Sequence, residues 1–169
     1  MTLNPTRKYY LLLLALAITY DTLFTLPPIL PHYGVNPDLI YRFFQPVCHQ
    51  MDARSFHLFG YKLAVCSRCS SIYYGFTLGI ILYPLFKSLG STQTPGLTFF
   101  VIALTTLIAD FSLNYFTPFH NTFLSRSITG GALGISGAFL FVPIWISLMM
   151  ELSAAGNSAK TRGVPQNEK

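Results

Sequence analysis

The sequence predicts an all-α membrane protein: a four-helix transmembrane bundle with a long Cys/His-containing loop between helices 1 and 2. Three observations carry that expectation. The chain of 169 residues is 51% hydrophobic and only 10% charged, against roughly 25% charged in soluble domains. Its mean hydropathy is +0.47, a surplus that a soluble core of this size has no room for. The apolar residues gather into four runs, each near the roughly 20 residues that span a bilayer. The three cysteines and two of the four histidines fall together in the stretch 45–75.

The first helix is expected at about 9–26. Arg7 and Lys8 before an apolar run imitate a signal peptide, but the run passes Tyr20 without a small-x-small cleavage site. An uncleaved membrane helix fits better. Pro27 and Pro28 close it. The other helices are expected at about 72–89, 96–116 and 128–152, with Pro95 placed to start the third. Their short connections favour antiparallel neighbours. Gly75 and Gly79 are four apart, as are Gly130 and Gly134, and Gly134 and Ala138. Such spacing lets helix backbones approach closely in lipid, although glycine is also simply commoner in membrane helices. Pro84 and Pro143 are candidate kinks. Residues 1–152 form one membrane domain, and the polar tail 153–169 is expected to be disordered.

The first loop, about 27–71, is too long to be a mere connection. Asn36-Pro37-Asp38 reads as a helix start, with a capping side chain, a proline and an acid in the first turn. Leu39, Ile40, Phe43 and Phe44 follow on one helical face, which predicts a short amphipathic helix on the membrane or on the bundle.

With four helices both termini share one side, and the long loop shares the other with the turn near His120. Asp21, Asp110, Asn114 and Arg126 then all approach the membrane surface that carries the cysteines. Asp110 and Asn114 lie one turn apart on one face. Charges in membrane spans tend to be paired or functional. A structural Asp110–Arg126 ion pair is the plain interpretation, and a polar pocket roofed by the loop is the sharper one. Arg54, Arg68, Asp110, Asn114 and Arg126 are its candidate residues. Arg54 is placed to pair with Asp110, to bind an anion, or to touch lipid phosphate.

Cys66-Ser67-Arg68-Cys69 sets two thiols in one turn. That spacing suits a tetrahedral metal and equally a redox dithiol. A helix beginning there, with Arg68 between the cysteines, favours thiolate in either case. Cys48 and His49 complete a Cys48, His49, Cys66, Cys69 set, a common zinc shell. Adjacent residues rarely both reach one metal, so His57 or water are alternatives for the fourth position. Three unligated buried cysteines are the ordinary structural alternative.

The motifs Cys48-His49-Gln50, Arg54-Ser55-Phe56, Cys66-Ser67-Arg68-Cys69, Ile72-Tyr73-Tyr74-Gly75, Asp110 and Arg126-Ser127-Ile128-Thr129-Gly130 with Gly134 resemble an uncharacterised family of small multi-pass bacterial and archaeal membrane proteins. The resemblance covers about 45–137. It implies a multi-pass membrane protein whose motif residues work together, and it supplies no reaction. Ser70-Ser71 departs from the Thr-Gly expected before Ile72.

The preferred expectation is a multi-pass protein of the cell membrane with a zinc site braced over a polar pocket. A membrane thiol-disulfide oxidoreductase using Cys66 and Cys69 is the alternative, and a small transporter a second. No HExxH, nucleotide loop or Ser-His-Asp pattern is evident, so no enzymatic reaction is legible. The net charge of +5 is scattered. That argues against nucleic acid and leaves the lipid bilayer as the partner. Arg7, Lys8, Lys87, Lys160, Arg162 and Lys169 on the terminal side oppose Arg42, Arg54, Lys62, Arg68 and Arg126 on the cysteine side. With Arg68 and Arg126 set aside as site residues, the balance leans toward termini inside and the cysteine loop outside.

Overall fold

In the computed structural model, the structure describes residues 4–89, 97–116 and 121–162, with side chains up to 155. Pro95 and His120 lie outside these described residues. The order is α1 (Pro5–Thr25), a 3-10 turn (Leu30–Tyr33), α2 (Asp38–Phe44), a second 3-10 turn (Asp52–Arg54), a hairpin of β1 (His57–Leu58) and β2 (Tyr61–Lys62), α3 (Ser67–Phe86), α4 (Leu97–Phe116) and α5 (Phe123–Arg162). Among the described residues three helices are long and apolar enough to cross a membrane: α3, α4, and α5 over Phe123–Ala155. α1 is not among them, because Lys8 and Asp21 and several Tyr and Thr residues dilute its apolar run.

α1 starts four residues before the expected position. The Asn4 side chain accepts the Thr6 N–H at 3.2 Å and Pro5 opens the first turn, the arrangement that helix starts favour. α1 packs on α3 and α5 through Tyr10, Leu13, Ile80, Tyr83, Val142 and Ile146. The Tyr10 hydroxyl donates to the Ile80 carbonyl at 2.9 Å, and the Trp145 indole N–H to the Tyr9 carbonyl at 3.1 Å. Both bonds satisfy polar atoms that lipid would leave unpaired.

The crossing of α3 and α5 is lined by the small residues singled out in the sequence. A Cβ on Gly75 would stand 2.5 Å from the Gly131 carbonyl oxygen, and one on Gly79 would stand 2.6 Å from the Ala138 Cβ. A Cβ on Gly134 would run into the Ile72 carbonyl. Backbone meets backbone here, and only glycine permits it. α4 lies against α5 and buries little of itself, Ala103 being its buried residue. Pro84 falls two residues before α3 ends, while Pro143 sits within α5.

The long loop folds over one end of the helices. The Ala64 N–H donates to the Phe24 carbonyl at 3.0 Å, and Phe24, Phe44, Cys48, Ala64 and Val65 form a second small core. α2 begins one residue later than expected, with Pro37 rather than Asn36 at the N-cap position, while the Asn36 side chain still accepts the Asp38 N–H at 2.9 Å. Its apolar residues divide between two directions. Ile40 and Phe44 pack inward, whereas Leu39 and Phe43 are 80% and 61% exposed. Residues four apart stack, so a seven-residue helix presents each pair separately.

The polar tail expected from residue 153 begins inside α5. α5 continues as helix to Arg162, because extending a formed helix is favourable once nucleated and Ala154, Ala155 and Ala159 favour it. Residues 163–169 lie outside the described residues.

Candidate functional site

Cys48 follows α2 directly, its N–H bonded to the Phe44 carbonyl at 3.0 Å. It is 5% exposed, and its sulfur accepts the Gln50 N–H at 3.5 Å and the Cys66 N–H at 3.1 Å. The chain turns sharply to allow this, with Gln50 in the left-handed region at φ 51°, uncommon without glycine. Three bonds brace the turn. The Gln50 amide donates to the Tyr41 carbonyl at 2.7 Å, Lys62 Nζ to the Gln50 carbonyl at 2.9 Å, and the Tyr41 hydroxyl to the Lys62 carbonyl at 2.6 Å.

Cys66 caps the N-terminus of α3 and Cys69 lies in its first turn. The three sulfurs all fall within 4.8 Å of one another, and the three cysteines are free. The neighbouring Cys48 and Cys69 thiols hold the Cys66 thiol well below its ordinary pKa by hydrogen bonding to it, against the opposing effect of burial.

The donor set fits a soft tetrahedral cation. Zinc–sulfur bonds of about 2.3 Å place thiolates some 3.8 Å apart, so the cluster needs only a small contraction. Backbone N–H groups already orient the Cys48 sulfur, as partners of metal ligands do. The cluster could hold a metal ion.

Of the four expected ligands the structure brings together three. His49 is exposed and outside the cluster, since successive side chains diverge and Cys48 takes the inward direction. His57 turns instead to Asp52, at 3.3 Å.

Several of the expected pocket residues contact one another or lie within electrostatic reach of each other. Arg68 forms an ion pair with Asp110 and lies over the Phe111 ring at 5.8 Å. Arg68, not Arg54 or Arg126, is thus the arginine on Asp110. The Asn121 amide donates to Asp110 Oδ2 at 2.6 Å and to the Asp110 carbonyl at 3.0 Å, and its N–H donates to Asn114 Oδ1 at 3.1 Å. Arg126 is buried within electrostatic reach of Arg54, Arg68, Cys66 and Asp110. Arg54 is exposed, but its neighbour Ser55 is buried and bonded to the Met51 carbonyl at 2.9 Å. Phe56 packs on Phe123 with ring centroids 5.5 Å apart, which sets this loop against the start of α5. Asp21 is buried between α1 and α3 in a crevice lined also by Tyr73 and Thr77. Asn121 and Gln50 are the residues that sequence reasoning missed. Neither sits in a spacing pattern that marks it, although Gln50 belongs to the Cys48-His49-Gln50 motif.

Apolar helices with a half-buried sulfur cluster and an Arg–Asp pair toward one end define a helical membrane protein. The chain belongs to the predicted membrane protein family DUF2085, whose sequence model matches residues 48–155. It is similar to an uncharacterized protein of Methanocaldococcus jannaschii, 32% identical over 151 residues, covering 85% of this chain and 96% of that protein. No solved structure matches the chain.

Proposed function

We propose that this chain is a multi-pass protein of the cell membrane in which α1, α3, α4 and α5 form a four-helix bundle. In this proposal Cys48, Cys66 and Cys69 bind one zinc ion above the polar pocket of Arg54, Arg68, Asp110, Asn114 and Arg126. The observation that carries it is the Cys48 sulfur, buried, turned toward two other thiols and receiving two backbone N–H groups. A structural dithiol would not need that third, pre-oriented sulfur. The fourth position is left for water, and a bound zinc would lower the pKa of that water toward about 7. The chain's own residues pair Arg68 with Asp110 and keep the Arg126 guanidinium within electrostatic reach of Cys66.

Metal analysis of the detergent-purified protein tests this. One zinc per chain is expected. Cys66→Ser is expected to lower zinc affinity by roughly tenfold or more and to loosen the loop at the same time, because site and fold are linked. Protein without metal that carries a reducible Cys66–Cys69 disulfide would replace this proposal with a thiol-disulfide oxidoreductase. That second reading is supported by two free thiols three residues apart in the cap and first turn of a helix.

A further inference from the structure

With or without a metal above it, the polar pocket carries more positive charge than it neutralises from within. Arg126 is 9% exposed. Among the described residues its guanidinium has no hydrogen bond, and the ion pairs are Arg68–Asp110 and His57–Asp52. Asp110, the carboxylate at hand, is already engaged by Arg68 and by Asn121. The charges bearing most strongly on Arg126 are those of Arg54 and Arg68, both of its own sign. Nε of Arg68 and the hydroxyl of Ser67 are themselves buried without partners. An unpaired buried guanidinium is strongly unfavourable, and its planar fork matches a tetrahedral oxyanion better than any other common group. A phosphate placed among the three arginines would relieve the imbalance.

An apolar groove begins on the same helix faces. Thr129 follows Arg126 by three residues on α5, and Thr106 precedes Asp110 by four on α4, so each threonine shares a face with its charged neighbour. Both line a cavity of ≈ 680 Å³ between α3, α4 and α5, whose walls include Ile102, Ala103, Ile135 and Phe139. On α5 it runs from Thr129 to Phe139, about 15 Å at 1.5 Å per residue. All three helices are apolar enough to cross a membrane, so the groove lies at the depth of hydrocarbon.

We propose that this is the binding site of an anionic lipid whose phosphate headgroup carries no compensating positive charge, with the phosphate held by Arg126, Arg54 and Arg68 and one hydrocarbon chain laid along the groove. The site rests on the polar pocket of the proposed function and is independent of its zinc. Charge complementarity specifies the headgroup, and the groove's position specifies the chain. A soluble oxyanion would use the arginines and ignore the groove.

The test uses the full chain, purified in neutral detergent and delipidated, with hexadecyl phosphate, hexadecylphosphocholine and inorganic phosphate as probes. Binding is read by native mass spectrometry and by thermal midpoint, with metal content measured on each sample. Hexadecyl phosphate is expected to bind at least tenfold more tightly than either of the others. Arg126→Gln should abolish that preference without lowering the thermal midpoint of the lipid-free protein, since it removes an unpaired charge. A midpoint that falls would make Arg126 a structural residue and overturn the proposal. Ala132→Phe, which fills the groove, should weaken hexadecyl phosphate about tenfold and leave inorganic phosphate unchanged. Equal binding of inorganic phosphate, or of hexadecylphosphocholine, overturns the proposal. Wild-type protein that holds metal but shows no preference among the probes defeats the lipid site alone. Protein that lacks metal but keeps the preference defeats the metal centre alone.

Discussion

Arg68 joins the two parts of the site. It lies between two of the clustered cysteines in sequence, yet its guanidinium reaches across to Asp110 on α4. The two side chains are 18% and 12% exposed, so removing one partner leaves a largely buried charge, at a cost of about 3 kcal/mol. Asp110→Leu and Arg68→Met are each expected to destabilise the detergent-solubilised protein by roughly that amount, while the double variant recovers more than half of the loss. Chemical denaturation of the four proteins measures it, and strictly additive losses would mean that the two residues are not coupled. At this scale the cysteines were legible because CxxC spacing forces two thiols together whatever the fold. The third thiol was legible only as a candidate, and the fold leaves His49 exposed beside Cys48. Asn121 left no trace in the sequence. An asparagine near a helix start is ordinary, and only the approach of α4 to α5 gives its amide two acceptors on Asp110.

Among the elements, the crossing of α3 and α5 does most to hold the helices together, and its tolerance changes sharply over a few residues. A methyl on Gly134 has to displace the backbone at Ile72, and overpacking of this kind costs about 1–3 kcal/mol. A methyl on Gly131 has its nearest neighbour at 3.9 Å, the Ser71 carbonyl. There alanine gains up to about 1 kcal/mol of helix propensity. Gly134→Ala should therefore lower the thermal midpoint, and Gly131→Ala should hold or raise it. Thermal unfolding followed by circular dichroism distinguishes them, and equal loss in both would contradict this packing. The long helices were legible because twenty apolar residues in a row have few other solutions. The hairpin was not, because two-residue strands are too short to show alternation. Gly60 with φ 82° next to Phe59 with φ 54° marks its turn, yet Phe-Gly is a weak turn signal in isolation. The apolar residues of α2 suggest one face in sequence and present two in the fold. In so short a helix the docking of Phe44 into the loop core decides the rotation, leaving Leu39 and Phe43 turned outward.

For the molecule as a whole, α1 decides the topology. Its tyrosine and tryptophan contacts tie it to α3 and α5, and in the proposed bundle that association makes it the fourth span despite its Lys8 and Asp21. Reporters fused at the N-terminus and after Lys169 are expected on the same side, the inner one by the balance of lysine and arginine. Opposite sides would leave α1 on the surface and three helices across the bilayer. The hydrogen bond between the Cys66 N–H and the Cys48 sulfur joins positions 18 residues apart. The intervening chain is a ring closed at its neck, and closing a ring of that length forfeits on the order of 2–3 kcal/mol of chain entropy. While the neck holds, Arg54 and Phe56 have lost their freedom together and meet α5 as one preformed surface. A change that breaks the neck is therefore expected to loosen residues 54–56 as a group, and faster amide hydrogen exchange there would measure it.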